Sequence, residues 1–305
     1  MNTEIQVVVV GSVAFDSIRT SAGFRERMLG GSATYAALAS ALTARTGLVG
    51  VVGTDFPASY WEVFQRAGVD TTGLTEQQGP TFLWSAAYDA EMDNRETLMT
   101  QFGVFANFQP RIPKAYQKAS VLVLGNIAPT MQARVLDQMN AELTMLDTMN
   151  LWIDTAREEL EMVIRRVDLV TLNESEAREL TGEASLVRAG RALLAMGPKW
   201  ALVKKGSNGA FLMGRDGPQD ILMCPAWPLA NVKDPTGAGD SFAGAFAASV
   251  ANSGGMGREC FRDALVWATV VAARTCGEFG VDALSGADAK GLMRDREAFA
   301  EMVVR

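Results

Sequence analysis

Short apolar runs that alternate with helical stretches are the feature that most constrains the fold of this chain. The runs are rich in Val, Leu and Ile, which is typical of strands buried in a parallel sheet. They span residues 5–10, 48–52, 121–124, 144–147, 167–171 and 200–204, and residues 32–44, 57–67, 131–140 and 157–166 between them have helical composition. This alternation predicts βαβ units and an α/β fold with a mostly parallel sheet.

Two stretches contain polar–apolar alternation in place of helical spacing. The first spans residues 15–29, and in the second the runs 81–88 and 96–101 flank a polar turn at 89–95. We interpret both as a small β lid that projects from the main sheet. Further along the chain, residues 210–213 are expected to form a hairpin with 200–204, and helices are predicted at 238–252, 260–275 and 288–304.

The composition excludes several classes of protein. The 305 residues include no histidine, which rules out Ser-His-Asp and Cys-His nucleophiles and every histidine metal site. The three cysteines are far apart, so we expect free thiols in a reducing compartment. A net charge of -7 gives no affinity for nucleic acid. No leader or membrane segment is evident, so a cytoplasmic protein without a membrane partner is expected.

The segment 234–244 is the most informative part of the sequence. It contains Gly237-Ala238-Gly239 directly before an apolar helix, where small residues and unpaired helical N–H groups can bind a phosphate. Asp240 follows this turn, and a carboxylate at that position can accept the proton of an alcohol that attacks phosphorus. The alternative is that Asp240 only caps the helix. Without histidine, a carboxylate is the natural general base.

At these residues the chain resembles the ribokinase/PfkB carbohydrate kinases. Segment 234–244 matches the C-terminal signature of that family over its whole length. The resemblance implies that Gly237, Ala238 and Gly239 form an anion hole and that Asp240 is the base. It also implies an ATP-dependent transfer of the γ-phosphate to a hydroxyl of a small sugar or polyol, with Mg²⁺ as cofactor.

The resemblance extends over about residues 5–285. It implies one ribokinase-like kinase domain over 1–305, a three-layer sandwich with a mostly parallel central sheet. The lid segments would be inserted at about 13–29 and 81–102. Dimers that form through the lid occur in this family. A homodimer through the lid is therefore the candidate assembly, and a monomer is the alternative.

On the acceptor side, Asp16 resembles the acidic residue that binds substrate hydroxyls, and Gly30-Gly31 resembles the paired glycines beside the sugar. The alternatives are a solvated turn aspartate and a simple turn before a helix. Tyr35 occupies the position where the family usually has an asparagine. An aromatic residue can stack on a ring or donate one hydroxyl, which favours a nucleoside acceptor as the alternative to a sugar.

On the nucleotide side, Asn173 and Glu176 resemble the Asn-x-x-Glu motif that organises magnesium and phosphate, with Glu176 acting on the metal through water. The alternative is a capping box at the start of a helix. Lys204, Gly206 and Gly209 resemble the nucleotide-binding strand and turn, where the lysine can pair with a phosphate or simply lie exposed at a strand end.

Three further residues are hypotheses from their positions. Asn126 and Asn150 follow predicted strands, so Asn126 is expected to face the substrate and Asn150 the phosphates. Arg95, in the predicted lid, is expected to reach an anionic group of the substrate. Surface or loop-capping roles are the alternatives for all three.

The stretch 272–281 resembles the adenine-side loop of the family. Gly277 is then expected to let the backbone approach the nucleotide, and Phe279 to cover the base or lie in the core. In many relatives a monovalent cation binds between this loop and the residues that correspond to Asp234 and Thr236, which makes K⁺ a candidate cofactor. A nucleotide- or sugar-binding protein without turnover is the non-enzymatic rival. A Rossmann dehydrogenase is discounted because no G-x-G-x-x-G follows the first strand.

Overall fold

The computed structural model describes residues 4–92, 94–217 and 220–303, which form two sheets and the helices around them. The strands are β1 (Val7–Val10), β2 (Ala14–Thr20), β3 (Gly23–Gly30), β4 (Thr46–Gly53), β5 (Asp70–Gln77), β6 (Phe82–Tyr88), β7 (Arg95–Gln101), β8 (Val121–Leu124), β9 (Leu143–Asp147), β10 (Leu169–Asn173), β11 (Trp200–Lys204), β12 (Ala210–Gly214) and β13 (Ile221–Cys224). The helices are α1 (Ser32–Ala41), α2 (Ala58–Arg66), α3 (Pro129–Leu136), α4 (Asn150–Thr155), α5 (Arg157–Ile164), α6 (Glu174–Thr181), α7 (Leu186–Met196), α8 (Ala238–Ser253), α9 (Arg258–Cys276), α10 (Asp282–Ser285) and α11 (Ala289–Met302).

The larger sheet has the order β13-β12-β11-β10-β9-β8-β1-β4-β5. Its strands pair in parallel from β11 to β5, whereas β12 and β13 are antiparallel additions at one edge. Because the parallel strands run the same way, their carboxyl ends lie along one edge, where ligands bind in such sheets.

Both faces of this sheet are covered by helices. In β1, Val7 and Val9 belong to one buried cluster, together with residues of α1, α8 and α9, whereas Val8 and Val10 belong to a second cluster with residues of α3, α5, α6 and α7. This period of two along a wholly apolar strand is the pattern of a strand buried on both faces. The fold is therefore a three-layer α/β sandwich, as predicted.

The smaller sheet has the order β3-β2-β6-β7 and is made from the two stretches that alternate in polarity. Strands β2 and β6 pair in parallel at its centre, and the hairpin partners β3 and β7 lie at its edges. Every residue of β7 is exposed. We call this sheet the lid. That the whole chain is one domain with the lid inserted stays a prediction.

The predicted strands and helices are found with ends shifted by a few residues, and Val304 of the last predicted helix lies outside the described residues. Strands β5 and β13, the two edge strands of the large sheet, were not predicted. Strand β5 contains polar residues and a glycine, and only Gly73 and Leu74 in it are buried. Helices α4, α7 and α10 were also not predicted; α4 and α10 are short, and Gly190 interrupts the apolar pattern of α7.

Candidate active site

Segment 234–244, where the sequence predicts an anion hole, contains the N-terminus of α8. Gly237 is the N-cap residue, with φ 74°, and α8 begins at Ala238. A Cβ atom on Gly237 would lie 2.3 Å from ring atoms of Tyr35, so both the left-handed backbone and the close approach require glycine. Gly239 lies in the first turn, where N–H groups have no acceptor one turn earlier and can bind an anion.

Asp240 lies in the first turn of α8 and lines a cavity of about 350 Å³. Removal from water raises the pKa of its carboxyl group, and the negative charge of Asp147 raises it further. The charges of Lys204 and Arg95 lower the pKa but do not cancel these effects. A carboxylate with a raised pKa beside an anion hole has the basicity that a general base needs near neutral pH.

Lys204 ends β11 and approaches the anion hole from the sheet. Its Nζ atom lies 2.8 Å from Oδ2 of Asp147 and would lie 3.2 Å from a Cβ atom on Gly239. Burial alone would lower the pKa of Lys204, but the carboxylates of Asp147 and Glu176 outweigh it and raise the pKa. The ammonium group therefore stays charged beside the site where phosphate would bind.

Asn173 and Glu176 form a complete capping box at the start of α6. The Glu176 amide donates to Oδ1 of Asn173, and the Asn173 amide donates to Oε2 of Glu176, both at 2.8 Å. Burial, and after it the charge of Asp147, raises the pKa of Glu176 to about 7. The capping interpretation is confirmed, and a role of Glu176 toward magnesium stays a prediction.

Asp16 lies within lid strand β2 rather than in a turn, and only 3% of it is exposed. Its carboxylate fits against Gly30, where a Cβ atom would lie 2.0 Å from Oδ2, and it accepts a hydrogen bond from the backbone of Gly31. Burial raises its pKa to about 7, and Asp234 and Asp240 add to the rise. The structure thus brings Asp16 and Asp240 to one cavity.

Polar and aromatic side chains both line the cavity that contains Asp16 and Asp240. Besides Tyr35 of α1, its aromatic lining residues come from the lid, from the segment after β7 and from α4: Phe82, Trp84, Phe102, Phe105 and Trp152. Phe82 stacks between Phe102 and Phe105, with ring centroids 5.7 and 5.3 Å away. We call the aromatic residues from the lid, the segment after β7 and α4 the aromatic slot of the cavity.

Tyr35 and Asn126 both line this cavity, and both side chains pack against or hydrogen-bond to neighbouring residues. Tyr35 is 1% exposed, and its ring packs against Gly237. The Tyr35 hydroxyl has no hydrogen-bond partner within the described residues. Asn126 accepts a hydrogen bond from Nε1 of Trp152 at 2.8 Å, and its Nδ2 atom lies 2.9 Å from the sulfur of Met149.

Arg95 lies at the start of lid strand β7 and lines the same cavity. Its guanidinium group lies 5.1 Å from the ring centroid of Trp84. Nearby, the hydroxyl groups of Tyr88 and Thr236 are 3.2 Å apart, which links the lid directly to the anion-hole segment.

The loop after α9 joins the anion-hole segment through Asp234, which is fully buried. Its carboxylate accepts hydrogen bonds from the amides of Thr236, at 2.9 Å, and Gly280, at 3.1 Å. Phe279 is 8% exposed and lies under the guanidinium group of Arg25, so it is mostly buried against the lid. Gly277 ends α9.

Three more residues predicted on the nucleotide side lie at the ends of short helical segments. Gly206 begins the short helical turn between β11 and β12, and Gly209 ends it. Asn150 begins α4, where its amide donates to Oε2 of Glu179 on α6. The contact of Asn150 is therefore with a carboxylate, and its predicted role toward phosphate is not tested.

Two kinds of site residue were missed from the sequence. Asp147 lies 57 residues before its partner Lys204, and no spacing rule links them. The aromatic residues at 102, 105 and 152 had no motif around them, and only the tertiary fold brings them to one cavity. The one available signal was their position after predicted strands or lid strands.

A helix N-terminus with free N–H groups, an adjacent carboxylate and a lid beside a cavity are the features expected of a phosphotransferase. The model of the pfkB family of carbohydrate kinases matches residues 4–283, and the chain belongs to that family. It is an ATP-dependent kinase.

Individual proteins agree with this assignment. The chain is 29% identical over 265 residues to the cytidine kinase of Thermococcus kodakarensis, covering 85% of this chain and 92% of that protein. The solved ribokinase of Giardia lamblia superimposes with a TM-score of 0.80 at 16% identity, covering 99% of this chain and 100% of that one. The nucleoside kinase of Methanocaldococcus jannaschii superimposes with a TM-score of 0.76 at 16% identity, covering 97% and 100%.

Proposed function

We propose that the acceptor is a nucleoside, phosphorylated on a ribose hydroxyl that faces Asp240. The observation on which this rests is that the aromatic slot and several polar side chains line the same cavity. A ribose offers hydroxyl groups to Asp16 and Asn126, and a base offers a flat face to Trp84. The similarity to the Thermococcus cytidine kinase supports this choice.

A small sugar or polyol is the second candidate. The polar side chains of Asp16 and Asn126 in the cavity lining suit a sugar without a base. Stacking of one base on an aromatic side chain contributes about 1–3 kcal/mol. If the acceptor is a nucleoside, the enzyme should therefore prefer it over its free sugar by about 5- to 150-fold.

In the proposed reaction, the carboxylate of Asp240 accepts the proton of the acceptor hydroxyl. The acceptor oxygen forms a bond to the γ-phosphorus of ATP, and the bond from that phosphorus to the bridging oxygen breaks, so that ADP leaves with the electron pair. The N–H groups at the start of α8, which include those of Gly239 and Asp240, face the oxygens of the transferring group.

The residues that would bind Mg-ATP fit its negative charge. Lys204 offers a charged ammonium group beside Gly239, and the turn 206–209 and the loop at 277–280 offer backbone to the nucleotide. Within the described residues no group of three acidic or cysteine side chains could ligate a metal, so magnesium would bind mainly through phosphate oxygens and water, with Glu176 acting through water. Magnesium neutralises phosphate charge.

Three further expectations accompany this proposal. The carboxylate of Asp234 and the loop at Gly280 are where K⁺ would bind. The exposed outer strand of the lid is where a homodimer would form. In the described part of the chain, no helix combines the length and apolar character that a bilayer crossing requires. A cytoplasmic location stays a prediction.

An acceptor panel tests the proposal. ADP release with Mg-ATP is measured for cytidine, inosine, ribose, fructose and an inositol, and mass spectrometry identifies the product. We expect kcat/KM for at least one nucleoside to exceed that for ribose by about 5- to 150-fold. A free sugar that is a better acceptor than every nucleoside would make the sugar candidate the correct one.

A further inference from the structure

Trp152 makes a hydrogen bond to which the proposed function assigns no role. Its indole Nε1 atom donates to Oδ1 of Asn126 at 2.8 Å, and both side chains line the cavity. An indole nitrogen can only donate, so the atom of Asn126 that faces it must be the amide oxygen. The contact therefore fixes the orientation of the Asn126 amide group as well as its position.

The other edge of the Asn126 amide lies against Met149. Its Nδ2 atom is 2.9 Å from the sulfur of Met149, which is the N-cap residue of α4 and also lines the cavity. A thioether sulfur is a weak acceptor and can take only one of the two N–H groups. A second N–H group therefore remains for a ligand, whereas the oxygen is held by Trp152.

The two loops that carry this arrangement are joined to each other. Asn126 follows β8 and Trp152 follows β9, and these two strands pair in parallel. The buried side chain of Gln132 donates to the carbonyl oxygens of Gly125, at 2.9 Å, and Asp147, at 3.0 Å. These bonds hold the carboxyl ends of the two strands together, so the spacing between Asn126 and Trp152 is set by the sheet and not by mobile loops.

We propose that Trp152 is a positioning residue, which holds the Asn126 amide with its N–H edge toward the nucleoside or sugar that is phosphorylated. This inference rests on the proposed function, because it takes the cavity as the place where that substrate binds. The substrate must then offer a lone pair to Asn126, while Asp16 accepts protons from its hydroxyl groups. A hydroxyl or carbonyl oxygen or a ring nitrogen offers a lone pair, and an ammonium group does not.

A double-mutant cycle of Trp152→Phe and Asn126→Ala tests the proposal. Trp152→Phe keeps an aromatic ring and removes the N–H donor. KM and kcat are measured with Mg-ATP and the best neutral substrate for the wild type, both single variants and the double variant, and thermal unfolding shows whether each is folded. Trp267→Phe is the matched control, because Trp267 of α9 does not line the cavity and its indole N–H has no partner within the described residues.

We expect Trp152→Phe to raise the KM of the substrate about fivefold, which corresponds to one neutral hydrogen bond, with kcat within about twofold of the wild type. In the Asn126→Ala background the same substitution should raise KM by less than about twofold, because no amide group is left to orient. Trp267→Phe should change neither KM nor kcat.

Asn126→Asp tests which edge of the side chain meets the substrate. The carboxylate keeps the shape of the amide and still accepts the hydrogen bond from Trp152, but it has no N–H group. We expect KM to rise about 5- to 150-fold, because a polar group of the substrate is left without its donor. A KM equal to that of the wild type would overturn the proposal, since the oxygen edge would then bind the substrate.

Two results of the cycle would also overturn the proposal. An unchanged KM in Trp152→Phe would show that the indole N–H is not needed. Equal rises in KM in both backgrounds would show that Trp152 acts on the substrate directly and not through Asn126. The nucleoside proposal fails separately: if the wild type phosphorylates a neutral sugar and no nucleoside, the same cycle is measured with that sugar and the same outcomes decide it.

Discussion

The two halves of the active site differ in how they are supported. The α8 half, with Asp240 and the Asp147–Lys204 ion pair, lies on a sheet that is covered by helices on both faces. The lid half, with Asp16, Trp84 and Arg95, lies on a four-stranded sheet whose edge strand is exposed throughout. In the proposed reaction, phosphate chemistry belongs to the α8 half, which we call the rigid half, and acceptor selection belongs to the lid half.

Lys204→Met should have the largest effect on the rigid half. It leaves the carboxylate of Asp147 buried without its partner, which costs about 3–5 kcal/mol of unfolding free energy. Urea denaturation measures this loss. In the double variant Lys204→Met/Asp147→Asn, most of the stability should return while kcat stays low. Lys199→Met is the control, because the Lys199–Asp168 pair lies at the surface and should cost less than about 1 kcal/mol. If Lys204→Met loses no more unfolding free energy than Lys199→Met, the Asp147–Lys204 pair does not behave as a buried ion pair.

Gly237→Ala should have the next largest effect, a loss of catalytic rate. The new Cβ atom would overlap the Tyr35 ring and strain a backbone with φ 74°, so the N-terminus of α8 must shift away from the phosphoryl group. We expect kcat to fall about 10²- to 10³-fold, as for the loss of an oxyanion donor.

Gly254→Ala is the matched control for that substitution. Gly254 ends the same helix with φ 68°, but nothing lies within 4 Å of its Cβ position. It should lose about 1 kcal/mol of stability from backbone strain and no activity. Equal rate losses in the two variants would show that helix stability, and not the anion hole, is being measured.

Trp84→Ala tests the lid half. Loss of a stacking partner should raise the KM of a nucleoside about 10-fold or more and leave kcat nearly unchanged. Steady-state kinetics with a nucleoside and with ribose separate the contribution of the base from that of the sugar. Only the KM of the nucleoside should rise. Phe24→Ala is the control, since Phe24 is a 44% exposed aromatic residue of the lid that does not line the cavity.

The pH dependence has the smallest expected effect. Asp240 must be ionised to act as the base, and burial raises its pKa, so kcat/KM should fall about tenfold per pH unit below that raised pKa. Rates between pH 5 and 9 with a fixed ionic strength measure this. A rate that stays constant down to about pH 5 would contradict a base with a raised pKa.

The raised pKa of Asp16 also predicts how the stability of the unliganded protein depends on pH. The folded carboxyl group of Asp16, with its pKa raised to about 7, binds a proton more tightly than the unfolded one. Its contribution is therefore full at low pH and is lost as the pH rises through about 7, by about 1.4 kcal/mol per pH unit at most. Asp16→Asn should gain stability relative to the wild type as the pH rises from 4 to 8, as measured by thermal unfolding.

The sequence predicted the rigid half better than the lid half. Segment 234–244 combines a turn, a helix start and a carboxylate within a few residues, so local rules place Gly237 and Asp240 without knowledge of the fold. Strands such as β1 were also predicted, because burial on both faces leaves a continuous apolar run.

The remaining features depend on contacts between distant segments. The Asp147–Lys204 pair and the aromatic slot join residues from different strands and loops, and edge strand β5 has too few buried residues to give a pattern. Tyr35 is one such case: it lines the cavity where the acceptor is expected, and its ring also packs against Gly237, a contact that was not predicted. Sequence alone does not give the direction in which that ring packs.

Asp240→Asn is the most direct test of the central claim, that α8 provides both the anion hole and the base. Acceptor-dependent ADP release and ATP affinity are measured together on the wild type and the variant. We predict a fall in kcat of about 10²- to 10⁴-fold with ATP affinity nearly unchanged, because the amide keeps the shape of the carboxyl group but cannot take the proton. Wild-type turnover in Asp240→Asn would contradict the account, since the base would then be another group.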